Sequence, residues 1–245
     1  AKRAAALGQQ YVASLTMGAG QFCTNPGLLL AIDGPDLDAF EAAAAAAMAG
    51  AAAQPMLTAG IHAAYTRGVD KLAGEANVRC VARGQDSDQP NRGQAGFYTT
   101  DAKSFQAQPT LHDEIFGATG LVVRCRDAEE LRALAESLEG QLTATLHLDA
   151  GDTAIARSLL PILERKAGRI LANGWPTGVE VCQAMVHGGP WPATTDSRTT
   201  SVGTAAIERF LRPVCYQDLP AELLPQALQD ANPLNLRRLV DGQWQ

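Results

Sequence analysis

The 245-residue sequence contains no run of about 18 uncharged apolar residues, the length a membrane-spanning helix requires. The Ala-rich stretch from Ala42 to Ala53 is too short and too weakly hydrophobic to serve. There is no basic block either. Twenty Lys and Arg are spread among 26 Asp and Glu, for a formal charge of -6, so nothing in the chain tracks a phosphate backbone and nucleic acid is not an expected partner. Five cysteines at wide, irregular spacing fit neither a disulfide framework nor a CxxC metal site. His62, His112, His147 and His187 lack the i,i+4 spacing of a metal pair, so structural or solvated roles are expected and no metal is. A GxGxxG phosphate cradle is also missing. Gly18 and Gly20 are followed by Cys23 where the third glycine would stand, and their turn follows a helix rather than a strand. The start, Ala1-Lys2-Arg3, has no apolar signal core, no cleavage site and no initiator Met, and reads as a cut end. These absences lead to the expectation of a soluble, cytoplasmic protein.

What is present is an alternation of strand and helix. Ala4, Leu7, Tyr11 and Leu15 recur on one face of a helix over residues 2–17, which Gly18-Ala19-Gly20 stops. Leu28 to Ile32 reads as a buried strand, and Pro35-Asp36 opens an Ala-rich helix to about Gly50. Ile61, Tyr65, Val69 and Leu72 mark another helix, and strands are expected at Asn77–Ala82, Gly96–Thr100, Leu121–Val123 and Leu142–Leu148. Asp127 with Glu130 forms a capping box before Leu131, Leu134 and Leu138, with Gly140 as the stop. Asp152 caps a helix carrying Ile155, Leu159 and Leu163, and Gly168 ends it before a strand at Arg169–Ala172. The expected fold class is α/β, an open, mainly parallel sheet with helices on both faces, whose ligands sit beyond the strands' carboxyl ends. Residues 1–196 are taken as the main domain. Residues 197–245 are taken as a C-terminal segment that packs on another domain or subunit, with a helix near Val202–Leu211 and a strand at Pro213–Tyr216.

The window Gly18-Ala19-Gly20-Gln21-Phe22-Cys23-Thr24-Asn25-Pro26-Gly27 sets a cysteine in a Gly-rich turn between a helix and a strand. A thiol exposed there can be ionised by backbone dipoles and then attack carbonyl carbon. Read alone, the same window fits a buried, inert cysteine better, because free Cys is among the most buried residue types. Glu114 alone reads as a solvated loop acid and Phe116 as a core aromatic. The loop Asn173 to Val179 reads as an ordinary Gly/Pro connection.

Taken together, these segments resemble the aldehyde dehydrogenase superfamily in its C-terminal, catalytic part. GQFCTNPG is similar to the family's nucleophile segment, Glu114-Ile115-Phe116-Gly117 to its Glu-x-Phe-Gly motif, and Asn173-Gly174-Trp175-Pro176-Thr177-Gly178-Val179 to a loop at the substrate entrance. The resemblance implies Cys23 as nucleophile, Glu114 on the nicotinamide ribose and Phe116 beside the nicotinamide of NAD or NADP. It implies Phe22, Thr24, Trp175, Pro176 and Val179 about the substrate. His187-Gly188-Gly189-Pro190-Trp191 stands where commoner members have Pro-Phe-Gly-Gly. With Phe22 and the ending Phe210 to Gln217, it points to the α-ketoglutaric semialdehyde (2,5-dioxopentanoate) dehydrogenase group, with NADP-linked fatty aldehyde dehydrogenases as the alternative.

The family chemistry is a Cys23 thiohemiacetal, hydride loss and a thioester, with the Cys23 N–H as one oxyanion donor. The family's second donor, an Asn, and its water-activating Glu lie upstream of the cysteine, and the Glu-Leu-Gly segment of the latter does not occur in residues 1–22. The resemblance thus implies that the N-terminal cofactor-binding half is absent, that the chain alone is inactive, and that the parent enzyme is a homo-oligomer acting on a small aldehyde. Two readings from other classes stand beside it: a thiol hydrolase or acyltransferase, for which no Cys-His signature is present, and a noncatalytic assembly module.

Overall fold

The computed structural model describes residues 3–245. Its strands are β1 Leu28–Ile32, β2 Gln54–Pro55, β3 Arg79–Arg83, β4 Arg92–Gly93, β5 Gly96–Asp101, β6 Thr119–Cys125, β7 Gln141–Leu146, β8 Ala167–Ala172, β9 Leu239–Val240 and β10 Gln243–Trp244. Its α-helices are α1 Ala4–Thr16, α2 Pro35–Ala49, α3 Ala59–Gly74, α4 Ala102–Ala107, α5 Ala128–Ser137 and α6 Thr153–Lys166. Two compact units result, one running through Ala206 and the other Ile207–Gln245.

The first unit is organised by a four-stranded sheet in the order β1-β6-β5-β3, in which β6 runs parallel to both β1 and β5, and β3 is an antiparallel edge. Helices cover both faces, and the strand pleat divides the side chains between them. Leu121, Val123 and Cys125 of β6, with Tyr98 of β5, pack on Tyr65, Val69 and Leu72 of α3, Phe105 of α4 and Leu134 of α5. Val122 and Phe97 turn the other way, onto Tyr11, Val12 and Leu15 of α1 and Phe40, Ala44 and Met48 of α2. Each fully buried Val, Leu or Phe of this kind stabilises the fold by about 1.5–3 kcal/mol, so these two layers fix the sheet.

The strand pair β7 and β8 is parallel but forms its own two-stranded sheet rather than extending the first. Leu30 of β1 packs against the cluster of Ala135, Leu159 and Ile162 that backs this pair, which ties the two sheets together.

Local chemistry explains the helix ends. The Thr58 hydroxyl accepts the Ile61 N–H at 3.2 Å, and Asp101 accepts that of Ser104 at 2.8 Å. Asp127 accepts the Glu130 N–H at 2.9 Å, while the Glu130 carboxylate reaches past the cap to the Arg126 N–H at 2.6 Å. Four local expectations are corrected. Asp152 does not cap α6; its carboxylate accepts the Asp149 N–H at 2.8 Å in a capping box closing a 3-10 turn. Gly168 does not end α6 but lies inside β8, where a Cβ would collide with the Gly188 carbonyl oxygen, so its need for glycine is a long-range one. The stretch near 202–211 is a 3-10 helix, Thr204–Phe210, not an α-helix. Residues 213–216 form no strand, since no neighbouring segment offers them a ladder.

The second unit has two short 3-10 turns and the antiparallel hairpin β9–β10. Asp241 and Gly242 join its strands with φ of 50° and 76°, the paired positive values of a type I′ turn.

Candidate active site

Past the end of α1 the backbone turns left-handed at Gly18, Ala19 and Gly20, with φ of 56°, 58° and 69°. For Ala19 this conformation costs about 1–2 kcal/mol. It is held because the Gln54 side-chain carbonyl accepts the Ala19 N–H at 3.0 Å and the methyl group is buried. Gly20 is required by a close approach: a Cβ there would fall on the backbone of Gly117 and Ala118. The Asn25 amide then donates to the Gly117 carbonyl at 2.9 Å. The cysteine loop and the Glu114–Gly117 loop are thereby locked together.

These two loops feed β1 and β6, which are parallel and in register from Leu28 opposite Leu121. The site therefore lies at the amino ends of the strands. The candidate residues thus do not lie beyond the carboxyl ends, as expected: backbone contact between the incoming loops, not the usual crevice past the strands, brings them together.

Within the cysteine loop Thr24 and Pro26 are buried and Cys23 is exposed. The Cys23 Sγ lies 3.2 Å from Nε2 of His187, 164 residues away in sequence. This corrects the expectation that His187 is structural or solvated, and supplies in space the Cys-His pair for which the sequence carries no signature. The segment bearing His187 is clamped from its own far side. The His187 N–H donates to the buried Thr200 hydroxyl at 2.8 Å, and its carbonyl accepts from the Ser201 N–H and hydroxyl, each at 3.0 Å. Gly188 is set against Gly168 of β8, which brings the next residue of that strand, Arg169, to the same place.

Arg169 donates to the carbonyls of Pro176 at 2.7 Å and Gly178 at 3.1 Å. It therefore orders the Asn173–Val179 loop. Among the described residues no carboxylate lies in ion-pair range of it. Burial lowers the pKa of His187, and the Arg169 charge lowers it further, both favouring the neutral imidazole. Its other nitrogen, Nδ1, is buried without a hydrogen-bond partner among the described residues.

Glu114 and Phe116 stand exposed on their loop, Phe116 at 41%. Phe22 and Val179 are half-buried and Pro176 is buried. Trp175 is packed on Tyr11 at 5.3 Å and His147 at 4.3 Å between ring centroids. The structure thus gathers Cys23, His187, Arg169 and the 176–178 carbonyls, and joins the Cys23 loop to that of Glu114. His187 and Arg169 were missed because their partners are distant in sequence; the one available signal was a histidine standing where the resemblance expects another residue. Among the described residues no group of three His, Cys, Asp or Glu could hold a metal ion, and no helix is long and apolar enough to cross a membrane.

No protein-family model matches the chain. It is 57% identical over 242 residues to α-ketoglutaric semialdehyde dehydrogenase 2 of Azospirillum brasilense, covering 99% of this chain and 46% of the relative. To the α-ketoglutaric semialdehyde dehydrogenase of Acinetobacter baylyi it is 48% identical over 235 residues, covering 96% and 45%. The chain spans about half the length of these curated relatives. Among solved structures, a betaine aldehyde dehydrogenase point mutant of Staphylococcus aureus in complex with NAD+ superposes with a TM-score of 0.67 at 16% identity, covering 83% of this chain and 41% of the other. A succinic semialdehyde dehydrogenase of Streptococcus pyogenes with NADP+ gives 0.59 at 20% identity, covering 73% and 39%, a likeness of fold. With sequence agreement along nearly its whole length and the fold of these enzymes, the chain belongs to the aldehyde dehydrogenase superfamily.

Proposed function

We propose that this chain is the thiol-bearing part of an NAD(P)-dependent aldehyde dehydrogenase that oxidises 2,5-dioxopentanoate (α-ketoglutaric semialdehyde) to the dicarboxylic acid, with Cys23 as nucleophile. The observation that carries this reading is the lock between the Cys23 loop and the Glu114–Gly117 loop, through Asn25 and Gly20. Hydride transfer needs the nicotinamide held against the carbon bonded to Cys23, where an error of about 1 Å costs about 100-fold in rate. Two loops in backbone contact support that reading.

The residues present fit the nicotinamide end of the cofactor, with an exposed carboxylate at Glu114 for ribose hydroxyls and an exposed ring at Phe116 for a flat heterocycle. NAD+ or NADP+, when bound, supplies the hydride acceptor. The Cys23 N–H is assigned as an oxyanion donor, and Phe22, Thr24, Trp175, Pro176 and Val179 as the substrate side. A cofactor-binding half outside this chain and a homo-oligomer complete the proposed enzyme; a fatty aldehyde is the alternative substrate.

The Cys23–His187 contact favours a second reading, a thiol hydrolase or acyltransferase. One assay separates them. The full-length protein is expected to form NAD(P)H from 2,5-dioxopentanoate and to lose that activity on Cys23→Ala. Release of acid from an ester without any aldehyde-dependent NAD(P)H would favour the hydrolase, and full activity of Cys23→Ala would remove both.

A further inference from the structure

We propose that His187 takes the proton of Cys23, so that the nucleophile is activated from within this chain rather than by a carboxylate base. The inference rests on Cys23 being the nucleophile. The Sγ to Nε2 separation of 3.2 Å is within the range of a nucleophile and its base. Side-chain placement is fixed by the main chain, through Thr200 and Ser201 on one side and the Gly168–Gly188 approach on the other, so the imidazole points at the thiol without a carboxylate to orient it.

That missing third group decides what the pair can do. In a triad, a carboxylate on the far ring nitrogen stabilises the imidazolium. Among the described residues Nδ1 is buried with no hydrogen-bond partner, and the Arg169 guanidinium, whose charge bears on the ring, opposes a second positive charge. The ring is therefore favoured in its neutral form, with Nε2 facing the thiol as an acceptor. As the Cys23 sulfur forms its bond to the carbonyl carbon, the S–H bond breaks and its proton passes to Nε2. The carbonyl π pair moves onto oxygen, and the proton then passes from Nε2 to that oxygen. Sulfur, proton and electron pair are all accounted for, with no other reactant. The groups facing His187 are Cys23, on the loop before β1, and Arg169 of β8; the clamping Thr200 and Ser201 are uncharged.

The pH dependence carries the sign. Because the His187 pKa is lowered, the ring remains an acceptor as pH falls through neutrality and is lost only below the ordinary imidazole range. An ordinary thiol reacts through its thiolate, whose fraction falls about tenfold per pH unit below about 8.5. The test is the rate of Cys23 alkylation by iodoacetamide in the full-length protein between pH 6 and 9.5, read by peptide mass, with the exposed Cys80 as comparator. Wild type is expected to hold its rate from pH 8 down to 6.5, and His187→Gln to slow Cys23 by about 100-fold at pH 7. The two should converge near pH 9.5, with Cys80 unchanged. Added imidazole should restore part of the rate in His187→Ala.

If wild-type Cys23 instead falls tenfold per pH unit as an ordinary thiol does, the proposal is overturned, and this result needs no variant to fold. A His187→Gln protein with unchanged alkylation profile and unchanged kcat/KM would overturn it too, while leaving the dehydrogenase reading intact. The converse, a His187-dependent profile in a protein that forms no NAD(P)H from any aldehyde, would support the pair and remove the dehydrogenase reading.

Discussion

The two ends of the β1-β6-β5 sheet differ in how their charges are settled. At the carboxyl ends an open crevice is lined by Asp33, Asp38, Asp101, Lys103, Arg124 and Glu130. Arg124 there bonds Asp33 at 2.6 Å, Asp38 at 2.5 Å and Glu41 at 2.9 Å. Burial disfavours its charge, but hydrogen bonds to Asp38 and Asp33 and the proximity of Glu41 more than offset this and raise its pKa. Glu41, nearly buried, also accepts from Arg79 at 3.0 Å and Thr99 at 2.9 Å. At the amino ends the reverse holds. Among the described residues Arg169 hydrogen-bonds to carbonyls and pairs with no carboxylate, the His187 Nδ1 has no hydrogen-bond partner, and Cys23 and Glu114 are exposed. A network satisfied within itself holds the fold, whereas groups left unsettled keep their interaction energy for something that arrives.

The largest expected effect breaks the settled end. Arg124→Met removes one of the two cations paired with buried Glu41, and leaving that carboxylate to the more exposed Arg79 should cost about 2–4 kcal/mol, less than stripping a buried charge of every partner. Urea denaturation of the full-length protein should show this loss, with the Cys23 alkylation profile unchanged. A loss below about 1 kcal/mol would place Arg124 among ordinary surface ion pairs and erase the contrast.

How much of this was legible in the sequence follows from the range of the causes. Strand β1 was readable as an unbroken apolar run, but the expectation that it is buried is corrected: it is the edge of its sheet, half-buried at Leu29 to Ala31 and exposed at Leu28 and Ile32. The Asp127 cap was readable because its partner is three residues away. Gly168 was misread as a helix stop because glycine carries the same local signal whether it frees a dihedral or admits a neighbouring backbone, and here the neighbour is Gly188. The type I′ signal at Asp241-Gly242 was present and passed over, its flanking strands being only two residues each. The Cys23 turn was legible. His187 and Arg169 were not, since a contact across 164 residues has no local trace.

Glu114 sharpens the other end of the comparison. If its exposed carboxylate is kept for a ribose, Glu114→Gln should leave stability untouched and raise KM for NAD+ or NADP+ about tenfold, equivalent to about 1.4 kcal/mol of binding. Steady-state kinetics of the full-length protein with 2,5-dioxopentanoate would check it, and an unchanged KM for both cofactors would withdraw Glu114 from the site.

The smallest effect is expected one residue earlier, at Asp113, which bonds Lys71 of α3 at 2.9 Å with side chains 64% and 53% exposed. This is a settled pair on the same loop as an unsettled carboxylate, so it asks whether pairing or position decides a residue's role. Water screens such a pair and the long Lys71 side chain must be held still to make it, so Asp113→Asn should change stability by no more than about 0.5 kcal/mol. The loop should keep its place through Asn25, Gly117 and the backbone approach at Gly20, none of which involves Lys71. KM for the cofactor should therefore stay within about twofold, a free-energy change of about 0.4 kcal/mol. A tenfold rise in Asp113→Asn equal to that of Glu114→Gln would mean that the loop's position, and not the Glu114 carboxylate, carries cofactor recognition, and the distinction between settled and unsettled charge would fail where it is most finely drawn.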